Sequence, residues 1–242
     1  MPAPTPAAVA ELVPTGTLRV AINLGNMVLA QKDPLTGAPR GVTAELAREL
    51  GKRLGVPVAL HPFDGAGKVF EAVKAGGIDI LFLAIEPVRA AEIAFTAPYV
   101  LIEGVYMVPK DSALKSVADV DREGIRIGVN KGSAYDLFLT RSLKAATLVR
   151  GEDGVALFKR DKLEVAAGVR QPIAAYAKTD PDVRVLDDRF MDIRQAMGTP
   201  QGRPAGAAYL KQFVEEMKAS GFVADALKRS GQGDATVAPA EG

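Results

Sequence analysis

Apolar and polar positions along this chain change period again and again, from runs that read as strands to stripes that read as helices. Leu18–Asn23 is an apolar run that empties into the turn Asn23-Leu24-Gly25-Asn26. Residues Lys32–Pro39 carry Asp-Pro, Thr-Gly and Ala-Pro steps and form a loop. Thr43 is placed as the cap of a helix whose Leu46, Leu50 and Leu54 share one face, with Gly55 closing it. Val56–Leu60 is a second strand, Gly67–Ala75 a helix burying Val69, Phe70 and Val73, and Ile78–Ile85 a third strand. Strand-like Gly104–Pro109 leads away from this first unit. A second series begins at Gly124–Val129 and continues with a helix from Ser133 and a short strand at Thr147–Arg150. A helix around Val155–Lys159, a strand at Leu163–Gly168 and a helix over Gln171–Lys178 follow. Val183–Leu186 and Asp192–Met197 read as extended. Helices at Ala205–Ser220 and Val223–Ser230 end the pattern, the first with Tyr209, Phe213 and Met217 on one face. Strands alternating with helices predict parallel α/β sheets.

At 242 residues the chain has material for one large domain or two small ones. Thirty Lys and Arg against 29 Asp and Glu leave a formal charge of +1, with the signs interspersed. A nucleic-acid binder usually shows a basic stripe, so that class of partner is not expected. With no tryptophan and 6% aromatics, stacking platforms for bases are not expected either. No apolar run reaches the roughly 18 residues that span a bilayer. The absence of cysteine excludes disulfides, thiolate catalysis and cysteine-held metals. The single histidine, His61, follows an apolar strand and reads as a surface or packing residue. No metal and no cofactor is expected. The start, residues 1–15, is rich in Pro and Ala and lacks the basic-then-apolar profile of a secretory signal. It is read as a flexible leader, and a cytoplasmic protein would begin the same way. Residues 231–242 are read as a flexible tail.

The stretch Gly77–Arg89 carries the first candidate chemistry. A buried strand runs into a short polar turn holding Arg89, and the turn Phe95-Thr96-Ala97-Pro98-Tyr99 follows. In open α/β sheets ligands collect outside the carboxyl ends of strands, and a guanidinium there matches a carboxylate. The stretch resembles the signature of the family 3 extracellular solute-binding proteins, the polar amino-acid receptors of ABC importers. In that pattern a strand opens with Asp and ends in Ser/Thr-x-Thr-x-x-Arg, before Phe-Ser/Thr-x-Pro-Tyr. Here Arg89 and the Phe95–Tyr99 turn are kept, while the polar strand-end positions have become Phe82 and Ala84.

The resemblance runs from Leu18 to about Ser230. It implies a bilobal, type II periplasmic-binding-protein fold of two α/β lobes. Lobe 1 takes residues 16–103 and 195–230, lobe 2 residues 110–186, and 104–109 with 187–194 form the two hinge segments. It also implies a periplasmic, monomeric receptor that hands a small carboxylate-bearing ligand to the membrane permease of an ABC importer. Residues 128–135, Gly-Val-Asn-Lys-Gly-Ser-Ala-Tyr, resemble the family's strand–Gly-Ser/Thr–helix element. Ser133 and Ala134 would present a helix start whose free N–H groups suit an anion. Taken alone, a Gly-Ser turn is simply a capped helix.

The chain departs from the family at the amine-binding end. Where α-amino-acid receptors carry the aspartate of Asp-x-Pro, this chain has Arg170, two residues before Pro172. The loop that supplies an acid and an aromatic reads Asn23 and Asn26, followed by Met27 and Leu29, and the aromatic of the next helix is Ala66. Phe82 either walls the ligand or packs in the core. The carboxylate end thus survives and the amine end is depleted, which points to an organic acid held by Arg89 and Arg170. Amino acids remain the family's usual ligands, with Glu103 or Glu164 as replacement acids. An enzyme alternative is a cyclohexadienyl dehydratase on the same scaffold. Its acid is a glutamate near position 170, and an arginine does not release a proton near neutrality. A sensor on the same fold is a third reading, with no attached segment to favour it.

Overall fold

The computed structural model describes residues 3–241. In chain order the elements begin with α1 (Pro6–Leu12), β1 (Leu18–Asn23), the hairpin strands β2 (Gln31–Lys32) and β3 (Pro39–Arg40), and α2 (Val42–Leu54). Then come β4 (Val58–Phe63), α3 (Ala66–Lys74), β5 (Ile80–Ala84), the single turn α4 (Pro87–Ala90) and the long β6 (Ile93–Pro109). After these come β7 (Arg126–Asn130), α5 (Ala134–Ser142), β8 (Thr147–Gly151), α6 (Gly154–Asp161), β9 (Val165–Val169) and α7 (Arg170–Thr179). The chain closes with β10 (Val183–Pro200), α8 (Pro204–Ala219), α9 (Phe222–Arg229) and β11 (Thr236–Val237).

Two compact units result: residues 1–101 with 194–242, and residues 102–193. The chain passes from one to the other within β6 and within β10. In the first unit β4, β1 and β5 are parallel neighbours, β10 pairs antiparallel with β5, and β6 lies beside β10. Side chains of β5 alternate: Leu81 and Leu83 join Ala21, Val69, Val73 and Ile93 in a core beneath α3. Phe82, one step between them, turns to the opposite face by the strand's period of two. In the second unit the order is β6, β9, β7, β8, with β7 parallel to both neighbours and β9 antiparallel to β6. Val105, Met107, Leu157, Phe158, Leu163 and Ile173 pack as its core under α6 and α7. Glycine is required where α6 crosses β7: a Cβ on Gly128 would come within 2.4 Å of the Gly154 carbonyl.

A buried ion trio anchors the first unit. Asp79, fully buried just before β5, receives Arg19 Nε and Nη2, each at 2.8 Å, and Arg203 Nη1 at 3.0 Å. It thereby ties β1, the entry to β5 and the start of α8. Burial pushes the Asp79 pKa up, but the bonds from Arg19 and Arg203 outweigh it and hold the carboxyl below its ordinary value.

Three sequence expectations are corrected. Residues 1–15 do not all form a loose leader, because α1 is capped by Thr5, which accepts the Ala8 N–H, and opens with Pro6. Its Ala8 and Leu12, at i and i+4, are buried, and Glu11 accepts the Gly206 N–H at 2.7 Å. Nor do residues 231–241 form a loose tail, residue 242 of that expectation lying outside the described residues. Thr236 and Val237 pair with Leu101 and Val100 of β6, Ala238 N–H reaches the Tyr99 carbonyl, and Lys218 Nζ reaches the Pro239 carbonyl at 2.9 Å. The open edge of β6 binds this segment through backbone groups, which its Gly-, Ala- and Pro-rich composition does not announce. Thr43 is the third case. Gly41, at φ 104°, precedes the helix, and Thr43 sits inside it with its hydroxyl donating to the Leu29 carbonyl.

Candidate ligand-binding site

Parallel strands present their carboxyl ends to one side of a sheet, and each unit has such an end. In the first unit, Asn23 closes β1 and its Oδ1 accepts the Gly25 N–H at 3.0 Å. Asn26 does the same for Val28 at 3.2 Å. Both side chains are therefore engaged in shaping the β1 loop. Gly25 admits no side chain there, since a Cβ would meet the Asp64 carbonyl at 2.6 Å.

The neighbouring strand β5 ends at Ala84, and Glu86 and Pro87 start the turn that holds Arg89. Arg89 does not lie open at the rim. It is 1% exposed, and its Nη1 donates to the Ala84 carbonyl at 3.0 Å. Burial pushes the guanidinium pKa down to about 10, against the opposing pull of the Glu86 carboxylate. A charge removed from water is costly unless other charges and dipoles compensate it. Ala84, buried beside it, contributes a carbonyl and no side-chain polarity. Phe82 is core: it is 1% exposed and meets Tyr99 edge-on at 5.9 Å between ring centroids.

In the second unit β7 and β9 run side by side, with Gly128 opposite Ala166, and each is followed by a helix start. Ser133 caps α5 by accepting the Asp136 N–H at 3.1 Å. Asp136, buried in the first turn, accepts the Gly132 N–H at 2.8 Å and Arg150 Nε at 2.8 Å, so its charge is balanced. The amides of Ala134 and Tyr135 occupy the first two helical positions, where no intrahelical partner exists. Such a start is electropositive and suited to a carboxylate.

Arg170 opens α7 at the end of β9. Its Nε bonds Glu103 Oε2 at very short range, and its Nη2 donates to the Asp187 carbonyl at 2.9 Å. Register explains the pairing: Gly104 lies opposite Val169 in the antiparallel β6/β9 ladder, which places Glu103 opposite Arg170. Arg189 Nη1 approaches Glu103 Oε1 at 3.5 Å, and Arg189 Nε bonds Asp192 at 2.7 Å. Glu164 is committed elsewhere, at the start of β9, where Arg126 holds it through its backbone N–H, Nε and Nη2. The structure thus brings Ser133, Ala134, Arg170 and Glu103 to one sheet end, and Asn23, Asn26, Ala84 and Arg89 to the other unit's sheet end. The roles of Arg189 and Asp136 were not visible in sequence. Among the described residues, no group of three or more His, Cys, Asp or Glu side chains is placed to hold a metal ion.

Residues 18–231 match the model of the bacterial extracellular solute-binding proteins, family 3. The chain belongs to that family. The arginine-binding protein 1 of an ABC transporter from Escherichia coli K12 is 24% identical over 192 residues, 74% of this chain and 75% of that protein. A glutamine-binding protein from Geobacillus stearothermophilus is 25% identical over 182 residues, 72% and 69% of the two chains. Among solved structures, the L-cysteine receptor of Neisseria gonorrhoeae superposes with a TM-score of 0.78 at 22% identity, covering 92% of each chain. An ancestral amino acid-binding protein, described as a precursor of cyclohexadienyl dehydratase, gives 0.75 at 24% identity, over 91% of this chain and 98% of its own. A mutant of the T. maritima arginine-binding protein gives 0.77 at 20% identity, over 92% and 98%. The fold of this family 3 member is therefore the mixed α/β fold of the type II periplasmic binding proteins. Among its described residues, no helix is long and apolar enough to cross a membrane.

Proposed function

We propose that this family 3 protein is the solute receptor of an ABC uptake system, binding a small solute through a carboxylate and delivering it to a membrane permease outside the cytoplasm. One observation carries the reading: a buried guanidinium, Arg89, stands fixed at the carboxyl end of a parallel strand. A planar fork held in one orientation recognises a carboxylate by geometry as well as charge. The α5 start, with Ser133 and Ala134, supplies a second set of anion-seeking donors on the second unit. Relatives named for arginine, glutamine and cysteine make amino acids the first solutes to try.

Calorimetry on ligand-stripped protein with L-amino acids, small organic acids and uncharged sugars tests the reading. Binding of a carboxylate-bearing solute is expected, with Arg89→Lys weakening it at least about tenfold, because a point charge does not replace a bidentate fork. Affinity for sugars alone, or an Arg89→Lys variant that binds as well as the parent, would remove it.

The dehydratase reading is favoured only by likeness to the ancestral protein. Against it, position 170 holds a guanidinium committed to Glu103, and an arginine gives up no proton near neutrality. Absence of prephenate turnover is expected.

A further inference from the structure

A step from Asp to Gly is prone to closing on itself, because glycine has no side chain to obstruct attack of its nitrogen on the preceding carboxyl. The chain has two such steps, Asp64–Gly65 and Asp153–Gly154, each at the entry to a helix. The fold treats them differently.

Asp153 is locked. As the cap of α6, its Oδ1 accepts the Val155 N–H at 2.9 Å and the Ala156 N–H at 3.1 Å. The Gly154 N–H donates to Asn130 Oδ1 at 2.8 Å, and a Cβ on Gly154 would meet the Val129 backbone at 2.8 Å. Carboxyl and amide are each spent in other bonds, in a place with no room for a ring. Asp64 is open. Its side chain is 74% exposed, and Lys68 Nζ stands off at 3.6 Å, beyond good hydrogen-bond length. It caps nothing, since α3 starts without a side-chain cap. Among the described residues the Gly65 N–H meets no hydrogen-bond acceptor, and a Cβ on Gly65 would touch no atom within 4 Å.

We propose that Asp64 is a site of spontaneous isoaspartate formation and that the product loosens the β1 loop. The Gly65 nitrogen bonds to Asp64 Cγ and the Cγ–O bond breaks. The oxygen leaves as water, with the amide hydrogen and the carboxyl proton, and a cyclic succinimide remains. Water then adds to either ring carbonyl. Addition at the Asp64 main-chain carbon breaks its bond to nitrogen, so the chain continues through Cγ and the α-carboxylate is free. Mass and charge return to their starting values, but the main chain has gained a methylene. The lengthened link lies against the β1 loop. Leu24 N–H donates to the Phe63 carbonyl at 2.8 Å, and the Asp64 carbonyl sits where a Cβ on Gly25 would come within 2.6 Å of it. In the product that carbonyl is a carboxylate, larger by one oxygen and charged.

Folded protein is aged in mildly acidic buffer, digested and mapped by electron-transfer fragmentation, with an isoaspartyl methyltransferase and a labelled methyl donor counting the product. Isoaspartate at residue 64 is expected at least about tenfold above residue 153, because a locked step reacts only through local opening. In urea, where both steps are free, the two yields should fall within about threefold of each other. Gly65 has an extended φ of −166° with open space beside it, so Gly65→Ala fits and should suppress the product. Asp64→Glu serves if that variant does not fold. Amide exchange at Leu24 and Gly25 should quicken in aged wild type and not in the aged variant. Equal yields at the two steps in folded protein, a preference that persists unchanged in urea, or exchange unmoved by the modification overturns the proposal.

Discussion

Two carboxylates in this chain each stand between two arginines, and their surroundings give them different work. Asp79 is 0% exposed at the amino end of β5, with bidentate Arg19 on one side and Arg203 on the other. Glu103 has a side chain 36% exposed, within β6 and across the ladder from the carboxyl end of β9, with Arg170 close and Arg189 loosely placed. The first trio is closed: every partner is a structural element of one unit, and no solute reaches it. The second keeps an oxygen with capacity to spare. Each trio joins one carboxylate to two arginines, and burial separates them: Asp79 is closed off from water, while Glu103 is partly exposed and its pairs are screened by solvent.

The largest effect is expected from breaking the closed trio. Asp79→Ala leaves two guanidiniums facing a buried void, and removing one partner of a buried pair costs about 3–5 kcal/mol. Urea unfolding should show this as a lower midpoint with little change in slope. A loss below about 1 kcal/mol would erase the distinction between the trios.

Acid titration probes the same trio more gently. The folded Asp79 pKa lies below its unfolded value of about 3.9, so the group stabilises the native state above that pH. The contribution fades as pH falls through the folded value. The stability gap between wild type and Asp79→Asn should therefore be full at pH 6 and shrink below about pH 4. A gap that stays constant down to pH 2 would show that Asp79 keeps its unfolded-state pKa.

Ser133→Ala sharpens the comparison from the second unit. Its hydroxyl satisfies one amide of the α5 start, and losing such a cap costs about 1 kcal/mol. Thermal or chemical unfolding should register that loss, which would show that this sheet end draws its stability from caps rather than from the Glu103 trio.

How much of this was legible in the sequence follows from which interactions are local. β1 begins and ends where its apolar run does, Gly55 closes α2 in the left-handed region, and Ser133 caps α5, because each depends on near neighbours. Local signals were available for α1 as well, in Thr5, Pro6 and the Ala8–Leu12 spacing, but its composition suggested a loose leader. For β11 there was no local signal, since a short Gly- and Ala-rich segment becomes a strand only by finding the edge of β6. At the site, the helix start was readable and the ion pairing was not. Glu103 and Arg170 are 67 residues apart and meet only through ladder register. Arg89 was readable as a charge at a strand end, while its burial required the packed structure.

The smallest stability effect is expected at Glu103, and its smallness is informative. Partly exposed ion pairs contribute a median of about 0–1 kcal/mol, because solvent screens them and ordering two long side chains costs entropy. Glu103→Gln keeps the shape and one acceptor oxygen while discarding the charge, so its unfolding free energy should stay within about 1 kcal/mol of the parent. Arg170 would still have the Asp187 carbonyl, and Arg189 would still have Asp192. A fold unaffected by the change is what a partly exposed, solvent-screened ion pair produces. A loss of 3 kcal/mol or more would instead place Glu103 with Asp79 as a structural anchor, and the contrast between the two trios would collapse.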